Sequence, residues 1–422
     1  MDEPVAKTVL KNGVRIVSQK MPHTRSVSMG VWVDVGARDE SAEQSGLSHF
    51  IEHMIFKGTR KRSAFQIARE FDAVGGQTNA FTSMENTCYH ARVLDTRVDT
   101  MVDILCDIFI NSIFDPAEVD KERPVILQEI GMVEDNPEEY VHVLSGYNFW
   151  GDHPLGRSIL GTPENILRFD AGAIKDFFHQ LYQPERIVIS AAGNIEHDRL
   201  VRLVAPPFEA LTPGNGFPQR HAPRQCSVVD VHHRDLEQTH VCLSTKGLPI
   251  TNPRRYGLSL LNTILGGNMS SRLFQEVREK RGLAYSVYSF VSSHVDTGMF
   301  GVYLGVDPRR ALETTRLVLG ELSRMKNKPV TASELSGAVE YTRGSLLLGA
   351  ESADNQMVRT AQNEIHFGRD MALQTIIEKI EAVTANDIQQ LACALFQDDH
   401  MALTLLGPAD TGKKEFEKML MQ

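Results

Sequence analysis

The chain has 422 residues, of which 42% are hydrophobic and 23% charged, and its formal net charge at pH 7 is −10. This composition can bury large cores, and the length suggests two or more domains. The negative charge argues against nucleic acid as a partner, because nucleic-acid binding needs a basic face.

The sequence contains no run of eighteen apolar residues, so no membrane span is predicted. Its first residues lack the basic and apolar regions of a signal peptide. The five cysteines are widely spaced and form no Cys-x-x-Cys pair, which is typical of reduced structural thiols. We therefore expect a cytoplasmic location, in a bacterium.

The first predicted elements are strands at 14–18 and 26–33, where apolar and polar residues alternate. Helical patterns at 63–74, 95–109 and 171–181 follow, and 186–193 reads as a buried strand. Strands grouped with long helices favour an α+β fold, in which mostly antiparallel sheets are covered by helices.

The most informative segment contains His49, Glu52 and His53 in the order His-x-x-Glu-His. In a helix, residues four positions apart lie on one face, so both imidazoles could bind the same metal ion. Glu52 could then reach a water on that metal. The spacing inverts the His-Glu-x-x-His motif of zinc proteases. An ordinary helix with two solvated or capped histidines is the alternative.

A catalytic zinc needs a third protein ligand, and Glu129 is a candidate because it lies within an apolar run. A carboxylate buried there needs a partner, which could be a metal or, equally well, an arginine or lysine. Glu122, two helical turns earlier, lies on the same side and could support a ligand. Pro124 suits the first turn of this helix better than its middle. The apolar residues expected to form a broad buried stripe are Val125, Ile126, Leu127, Ile130, Met132 and Val133.

These residues resemble the M16 metallopeptidases, because Glu129 follows His53 by 76 residues and Glu122 precedes it. The likeness is closest to the processing-peptidase-like branch and covers nearly the whole chain. It implies that His49, His53 and Glu129 bind one zinc per chain and that Glu52 is the general base. It also implies two homologous α+β domains that close like a clamshell on a peptide. Further matching segments are 10–15, 75–76, 79–83 and 271–274, with Tyr285.

Residues 211–225 are rich in proline and glycine and poor in apolar residues, which is typical of a linker. They divide the chain into a metal-binding domain at 1–210 and a second domain at 226–422. Collinear short matches at an offset of about 212 residues indicate an internal duplication.

The duplication bears on the metal motif. In the second half, Leu260, Thr263 and Ile264 stand at the positions that correspond to the two histidines and the glutamate. The fold therefore does not require metal-binding groups in this helix, and a purely structural role for the histidines becomes harder to sustain.

In the second half, Arg278 and Tyr285 stand seven residues apart, the spacing of an M16 pair that completes the active site. The resemblance implies that Tyr285 stabilises the tetrahedral oxyanion, and that Arg278 holds substrate carbonyls or the tyrosine itself. The alternative is a charged helix end capped at Gly282 and followed by a strand at 285–291. The glycines at 266–267 are interpreted as a helix-terminating turn.

The resemblance also implies substrate contacts. Asn79, Ala80 and Phe81 would belong to an edge strand that pairs with an extended peptide. Phe56 would line the pocket for the residue after the scissile bond, although a core role is equally plausible. Glu139 would recognise an arginine upstream of the cut, and a solvated charged face is the alternative.

The sequence thus predicts a zinc-dependent metalloendopeptidase acting on short or unfolded peptides, and its charge is compatible with basic substrates. The alternative is a peptide-binding or processing subunit that is active only with a separate homologous partner. A homodimer is expected, since two domains make half of the four-domain chamber of larger relatives. Histidine and carboxylate ligands also serve metals other than zinc.

Overall fold

The computed structural model describes residues 4–214, 216–397, 400–408 and 412–420. The chain forms two compact units, and each is built from three segments. The first unit contains Met1–Gly131, Ser158–Arg220 and Leu347–Ala372. The second unit contains Met132–Arg157, His221–Leu346 and Leu373–Gln422.

The first unit has a six-stranded sheet in the order β1-β2-β6-β3-β5-β4. Strands β2 and β6 pair in parallel, and all other neighbours are antiparallel. The predicted strand at 26–33 is confirmed without change, and the other two predicted strands differ by one or two residues at their ends. The strands are β1 (Ala6–Val9), β2 (Arg15–Lys20), β3 (Ser26–Val33), β4 (Gln77–Thr82), β5 (Thr87–Leu94) and β6 (Ile187–Gly193).

The second unit has a five-stranded sheet in the order β7-β11-β8-β10-β9, in which only β7 and β11 are parallel. Its strands are β7 (Val229–His232), β8 (Thr239–Lys246), β9 (Ala284–Ser293), β10 (Gly298–Val306) and β11 (Ala402–Leu406).

The helices are numbered along the chain, and one further segment, Phe274–Glu279, is a π-helix. They are α1 (Leu47–Met54), α2 (Ala64–Ala73), α3 (Val98–Asn111), α4 (Pro116–Asp135), α5 (Pro137–Trp150), α6 (Pro163–Arg168), α7 (Ala171–Leu181), α8 (His197–Glu209), α9 (Arg255–Leu265), α10 (Ala311–Asn327), α11 (Ala332–Ala350), α12 (Ala353–Phe367), α13 (Leu373–Glu381), α14 (Ala385–Leu395) and α15 (Lys413–Leu420).

Both faces of the first sheet are buried, and the residues of β3 pack against helices on each face. Val31 and its neighbours on one face pack in a core with α1, α3, α7 and α8. Trp32, on the other face, packs against Met357 of α12. Because successive strand residues point to opposite faces, a strand covered on both sides reads as a continuous apolar run. This arrangement explains the buried pattern at 186–193.

The second sheet is covered in the same way by helices from both halves of the sequence. Val141 of α5 packs against Cys242 and Leu406 on one face. Helices α9, α10 and α14 contribute to the core on the other face. Each unit therefore holds one helix, α12 in the first and α5 in the second, from the opposite half of the sequence.

The two sheets share one topology. Strands β2-β6-β3-β5-β4 and β7-β11-β8-β10-β9 have the same order and the same parallel pair. The strands that correspond, β6 and β11, lead to Gly193 and Gly407, whose φ angles are +130° and +127°. The prediction of two homologous α+β units is confirmed. The boundaries 1–210, 211–225 and 226–422 stay a prediction about the duplicated halves, which differ from the compact units by the exchanged helices.

The interpretation of Pro124 was wrong, because α4 begins eight residues earlier, at Pro116. Asp115 fixes this start by accepting hydrogen bonds from Ala117 N to its side chain and from Val119 N to its carbonyl. The broad buried stripe is also incorrect, since Val125 is 45% and Met132 72% exposed. The buried residues of α4 are Val119, Glu122, Ile126 and Ile130, a narrow stripe at helical spacing.

Among the residues that the structure describes, no helix is sufficiently long and apolar to cross a membrane.

Candidate metal centre

Helix α1 is fixed at its start by a buried carboxylate. Glu40 accepts hydrogen bonds from the backbone N–H groups of Gly46, at 2.8 Å, and Ser48, at 2.6 Å. These N–H groups would otherwise have no partner at the helix start. Gly46 has a φ of +103°, and a Cβ there would lie 2.9 Å from the Leu160 carbonyl, so glycine is required. The apolar side chains that anchor the helix in the core are Leu47, Phe50, Ile51 and Met54.

The structure brings His49, His53 and Glu129 together. Glu129 Oε2 lies 3.5 Å from His49 Nε2 and 3.4 Å from His53 Nε2. Two ligand atoms of a tetrahedral zinc, with bonds of about 2.0–2.1 Å, are about 3.3–3.4 Å apart. The two imidazoles and the carboxylate therefore fit one zinc ion. Within the described part of the chain, this is the one group of three such ligands whose atoms all lie within 4.8 Å of one another.

The two histidines differ in their surroundings. Burial, and then the neighbouring His53, lower the pKa of His49 to about 3, so its imidazole is neutral, the form that binds metals. His49 Nδ1 is buried, and no described residue offers it a hydrogen-bond partner. His53 is half-buried, and its Nδ1–H donates to Glu122 Oε1 at 2.9 Å. That bond leaves His53 Nε2 free to ligate a metal.

Glu52 is half-buried on α1, between the two histidines in sequence. Burial raises its pKa, and hydrogen bonds from Thr82 oppose that shift. Thr82 lies at the end of β4, and its hydroxyl oxygen lies 3.4 Å from Ser48 O on α1. The edge strand β4 is therefore adjacent to the helix that carries the two histidines.

The position predicted for Glu122 fits the contact with His53, but sequence reasoning missed the neighbouring Lys57. Lys57 Nζ lies 2.5 Å from Glu122 Oε2, the carboxylate oxygen that does not face His53. Burial would raise the pKa of Glu122, but the bonds from Lys57 and His53 bring it below its usual value. The only signal in the sequence was the position of Lys57, four residues after His53.

The predicted substrate residues of the first unit lie on or near the edge strand. Asn79 is exposed, and its side-chain oxygen accepts a hydrogen bond from Ala80 N at 2.9 Å. The Phe81 ring packs edge-on against Trp32, on the face covered by α12, so only its backbone is available on the strand edge. Phe56 is half-buried against the core, with its ring 6.5 Å from that of Tyr89.

The second unit brings Arg278 and Tyr285 together. The guanidinium of Arg278 lies 4.7 Å from the centre of the Tyr285 ring and 4.8 Å from that of Phe274, distances typical of cation–π contacts. Tyr285 is 78% exposed. Arg278 lies in the π-helical segment, and such segments are frequent at functional sites. The turn that follows contains Gly282, with a φ of +59°.

Glu139 also lies in the second unit, in the first turn of α5. It is exposed, and its carboxylate accepts a hydrogen bond from the Asn136 side chain at 2.8 Å. Its neighbour Glu138 points inward and accepts a hydrogen bond from the Tyr288 hydroxyl at 3.0 Å. Of this pair, Glu139 is the carboxylate that is open to solvent.

Two family models match the chain. The model "Insulinase (Peptidase family M16)" matches residues 15–163, which include the two histidines and Glu129. The model "Peptidase M16 inactive domain" matches residues 168–341, which include Leu260, Thr263 and Ile264.

Relatives match over nearly the full length. An uncharacterized zinc protease of Streptomyces coelicolor is 41% identical over 96% of this chain and 90% of its own. The uncharacterized zinc protease YmxG of Bacillus subtilis is 42% identical over 96% of this chain and 98% of its own. A protease from Helicobacter pylori has the same fold, with a TM-score of 0.90 at 23% identity, over 96% of this chain and 100% of its own. The chain therefore belongs to the M16 peptidase family.

Proposed function

We propose that the chain is a zinc-dependent metalloendopeptidase that hydrolyses peptide bonds in short or unfolded peptides. One observation carries the proposal: two imidazole nitrogens lie 3.4 and 3.5 Å from one carboxylate oxygen of Glu129. The names of the relatives from Streptomyces coelicolor and Bacillus subtilis, both zinc proteases, support zinc as the metal.

His49, His53 and Glu129 would hold one zinc per chain and leave a fourth position open. When bound, zinc supplies Lewis-acid chemistry that activates water and polarises the scissile carbonyl. Glu52 would accept a proton from the attacking water at its carboxylate and donate it to the leaving nitrogen. Its partial burial and its contact with Thr82 support this role, since both limit how far the carboxylate can move.

The edge of β4 would bind the substrate backbone as an added strand. Such pairing uses main-chain hydrogen bonds, which read little sequence but require an extended peptide. A folded protein rarely offers an unpaired extended segment. This requirement supports short or unfolded peptides as the substrates.

Arg278 and Tyr285 would act on the substrate as well. The exposed phenol of Tyr285 would donate a hydrogen bond to the oxyanion that forms at the scissile carbonyl. Arg278, stacked on the Tyr285 ring, would hold that ring in place or bind substrate carbonyls.

The test is cleavage of a fluorogenic arginine-containing peptide by the purified chain and by Glu52→Gln, with a zinc assay of both. We expect about one zinc per chain in both proteins and cleavage by the wild type only. Zinc without cleavage in the wild type would favour a subunit that needs a separate homologous partner. Absence of both would overturn the proposal. The homodimer and the cytoplasmic location stay predictions.

The proposed enzyme would also prefer substrates with basic segments, and this preference would depend on Glu139. An exposed carboxylate can pair with the guanidinium of a substrate arginine. For two peptides that differ by one arginine-to-glutamine change, we expect the wild type to have the higher kcat/KM for the arginine peptide. Glu139→Gln should remove this difference and leave cleavage of the glutamine peptide unchanged. An unchanged ratio would contradict the role of Glu139.

A further inference from the structure

A chain of polar contacts runs from the metal centre to Lys57. His53 Nδ1–H donates to Glu122 Oε1 at 2.9 Å, and Lys57 Nζ lies 2.5 Å from Glu122 Oε2. The Glu122 carboxylate thus has a donor on each oxygen. Its side chain is 8% exposed, whereas the side chain of Lys57 is 30% exposed.

The segment that carries Lys57 is held on both sides. Lys57 N donates to Met54 O, at the end of α1, at 3.0 Å. Two residues later, the Thr59 hydroxyl donates to Asp107 Oδ2 at 2.8 Å, and Arg62 Nη1 donates to the same oxygen at 2.7 Å. Lys57 therefore reaches Glu122 from a short segment fixed to α1 and α3.

The other histidine is held differently. His49 has a side chain that is 7% exposed, and its Nδ1 has no hydrogen-bond partner among the described residues, so packing around the ring, and no hydrogen bond at Nδ1, holds its orientation. The side chain of His53 is 20% exposed, and its ring has more room to rotate. The orientation of His53 therefore depends on the Glu122 carboxylate.

We propose that Lys57 is a positioning residue of the metal centre, which fixes the Glu122 carboxylate and through it the ring of His53, and so sets how tightly zinc is held. This inference rests on the proposed function, since it presumes zinc at His49, His53 and Glu129. A carboxylate bonded at both oxygens can adopt few orientations, so His53 Nε2 stays aimed at the metal position. Partners behind metal-binding histidines typically change metal affinity about 10- to 100-fold.

The direction in which zinc affinity changes when Lys57 is replaced distinguishes a positioning role from a simple effect of its charge. Removing a positive charge near a cation should strengthen zinc binding by Coulomb's law alone. Loss of positioning should weaken it. The inference therefore predicts a change opposite to the one that net charge would cause.

The experiment measures zinc affinity by competition with a chromophoric chelator, and it requires no peptidase activity. We expect Lys57→Met to weaken zinc binding about 10-fold. Lys57→Arg, which keeps the cation and a donor, should restore most of the affinity. The matched control is Lys61→Met, which removes the same charge from an exposed lysine four residues on and should leave affinity unchanged.

A double-mutant cycle tests whether Lys57 acts through Glu122. In a Glu122→Ala background, Lys57→Met should have almost no further effect on zinc affinity. In NMR spectra of the zinc-loaded wild type, the His53 Nδ1–H proton should be protected from exchange, and Lys57→Met should remove that protection. If Lys57→Met does not fold, Lys57→Leu, which likewise has no hydrogen-bond donor, replaces it throughout, with the same expected weakening.

Failure of the positioning role of Lys57 can be distinguished from failure of the proposed function. If the wild type binds zinc and Lys57→Met binds it as tightly as Lys61→Met or more tightly, the positioning role is overturned while the proposed function stands. An equal effect of Lys57→Met with and without Glu122 would also overturn it. If the wild type does not bind zinc at all, the proposed function itself fails.

Discussion

At the scale of single residues, the candidate metal centre was predictable where two of its residues are close in sequence. His49 and His53 are four positions apart, and a helix necessarily places them on one face. Glu129 could be identified only as a carboxylate in an apolar run, and its role came from the family resemblance. Lys57 was not predicted, because its contact depends on the path of the chain between α1 and α2.

The prediction at the residue scale concerns Glu129. An amide is a weaker metal ligand than a carboxylate, so Glu129→Gln in effect removes one of the three ligands. Its zinc affinity should be lower than that of the wild type by about 10-fold or more. The fold should be unaffected, because the Glu129 side chain is 41% exposed. Zinc content after dialysis and the thermal midpoint of the metal-free protein check both statements. Glu118→Gln, on the same helix and paired with Lys121, is the control and should keep its zinc.

At the scale of elements, most strand and helix positions followed from hydrophobic periodicity, and the misses have local causes. Helix α4 continues through Pro124 because packing of Ile126 and Ile130 and the start at Asp115 outweigh one missing N–H. The exchange of α5 and α12 was not predictable. The apolar face of α12, which includes Met357, carries no sign of which sheet it will cover.

The edge strand gives an element-scale prediction. Ala80 N donates to the Asn79 side chain, which indicates that it points away from β5 and toward the open edge. Proline at such a position is tolerated in an edge strand but cannot donate a hydrogen bond to an added peptide strand. Ala80→Pro should therefore raise KM or abolish cleavage while zinc content stays at the wild-type level. Ala80→Ser keeps the N–H and should cleave normally. Full activity of Ala80→Pro would exclude pairing at this position.

A second element-scale prediction concerns the start of α11. Glu334 accepts hydrogen bonds from Thr331 N at 2.8 Å and from two nitrogens of Arg272 at 2.7 and 3.1 Å. Although burial opposes it, these bonds lower the pKa of Glu334 to about 2. Its contribution to stability is therefore complete above the ordinary pKa of 4.5 and is lost as the pH falls toward 2.

Glu334→Gln removes the charge of this ion pair and should thus destabilise the protein by about 1 kcal/mol at pH 7. The difference from wild type in thermal midpoint should shrink steadily between pH 5 and about pH 2. Glu340→Gln, on the exposed side of the same helix, should have little effect at any pH. A pH-independent difference for Glu334→Gln would contradict the assigned ion pair.

At the scale of the whole molecule, duplication has produced two units with the same sheet but with different residues at the positions of the metal motif. The sequence carried this information in weak collinear matches, and the strand orders confirm it. In the first unit, these positions of α1 are held by His49, Glu52 and His53. In the second unit, Leu260 and Ile264 stand at the corresponding positions of α9 and are buried. Sites that depart from good packing are expected where function requires it.

Placing the residue of one unit at the corresponding position of the other should have opposite effects on stability in the two units. His49→Leu replaces a buried imidazole, whose Nδ1 has no hydrogen-bond partner in the part of the chain that the structure describes, with the residue type found in the second unit. The metal-free variant should therefore be as stable as wild type, or more so, although it binds no zinc. Leu260→His buries an unpartnered polar group in a packed core and should cost about 3 kcal/mol or more. Urea midpoints of the metal-free proteins measure both effects. Equal destabilisation by the two changes would mean that the His49 side chain contributes as much to the stability of the fold as Leu260 does. The proposal that His49 is retained for metal binding and not for stability would then be wrong.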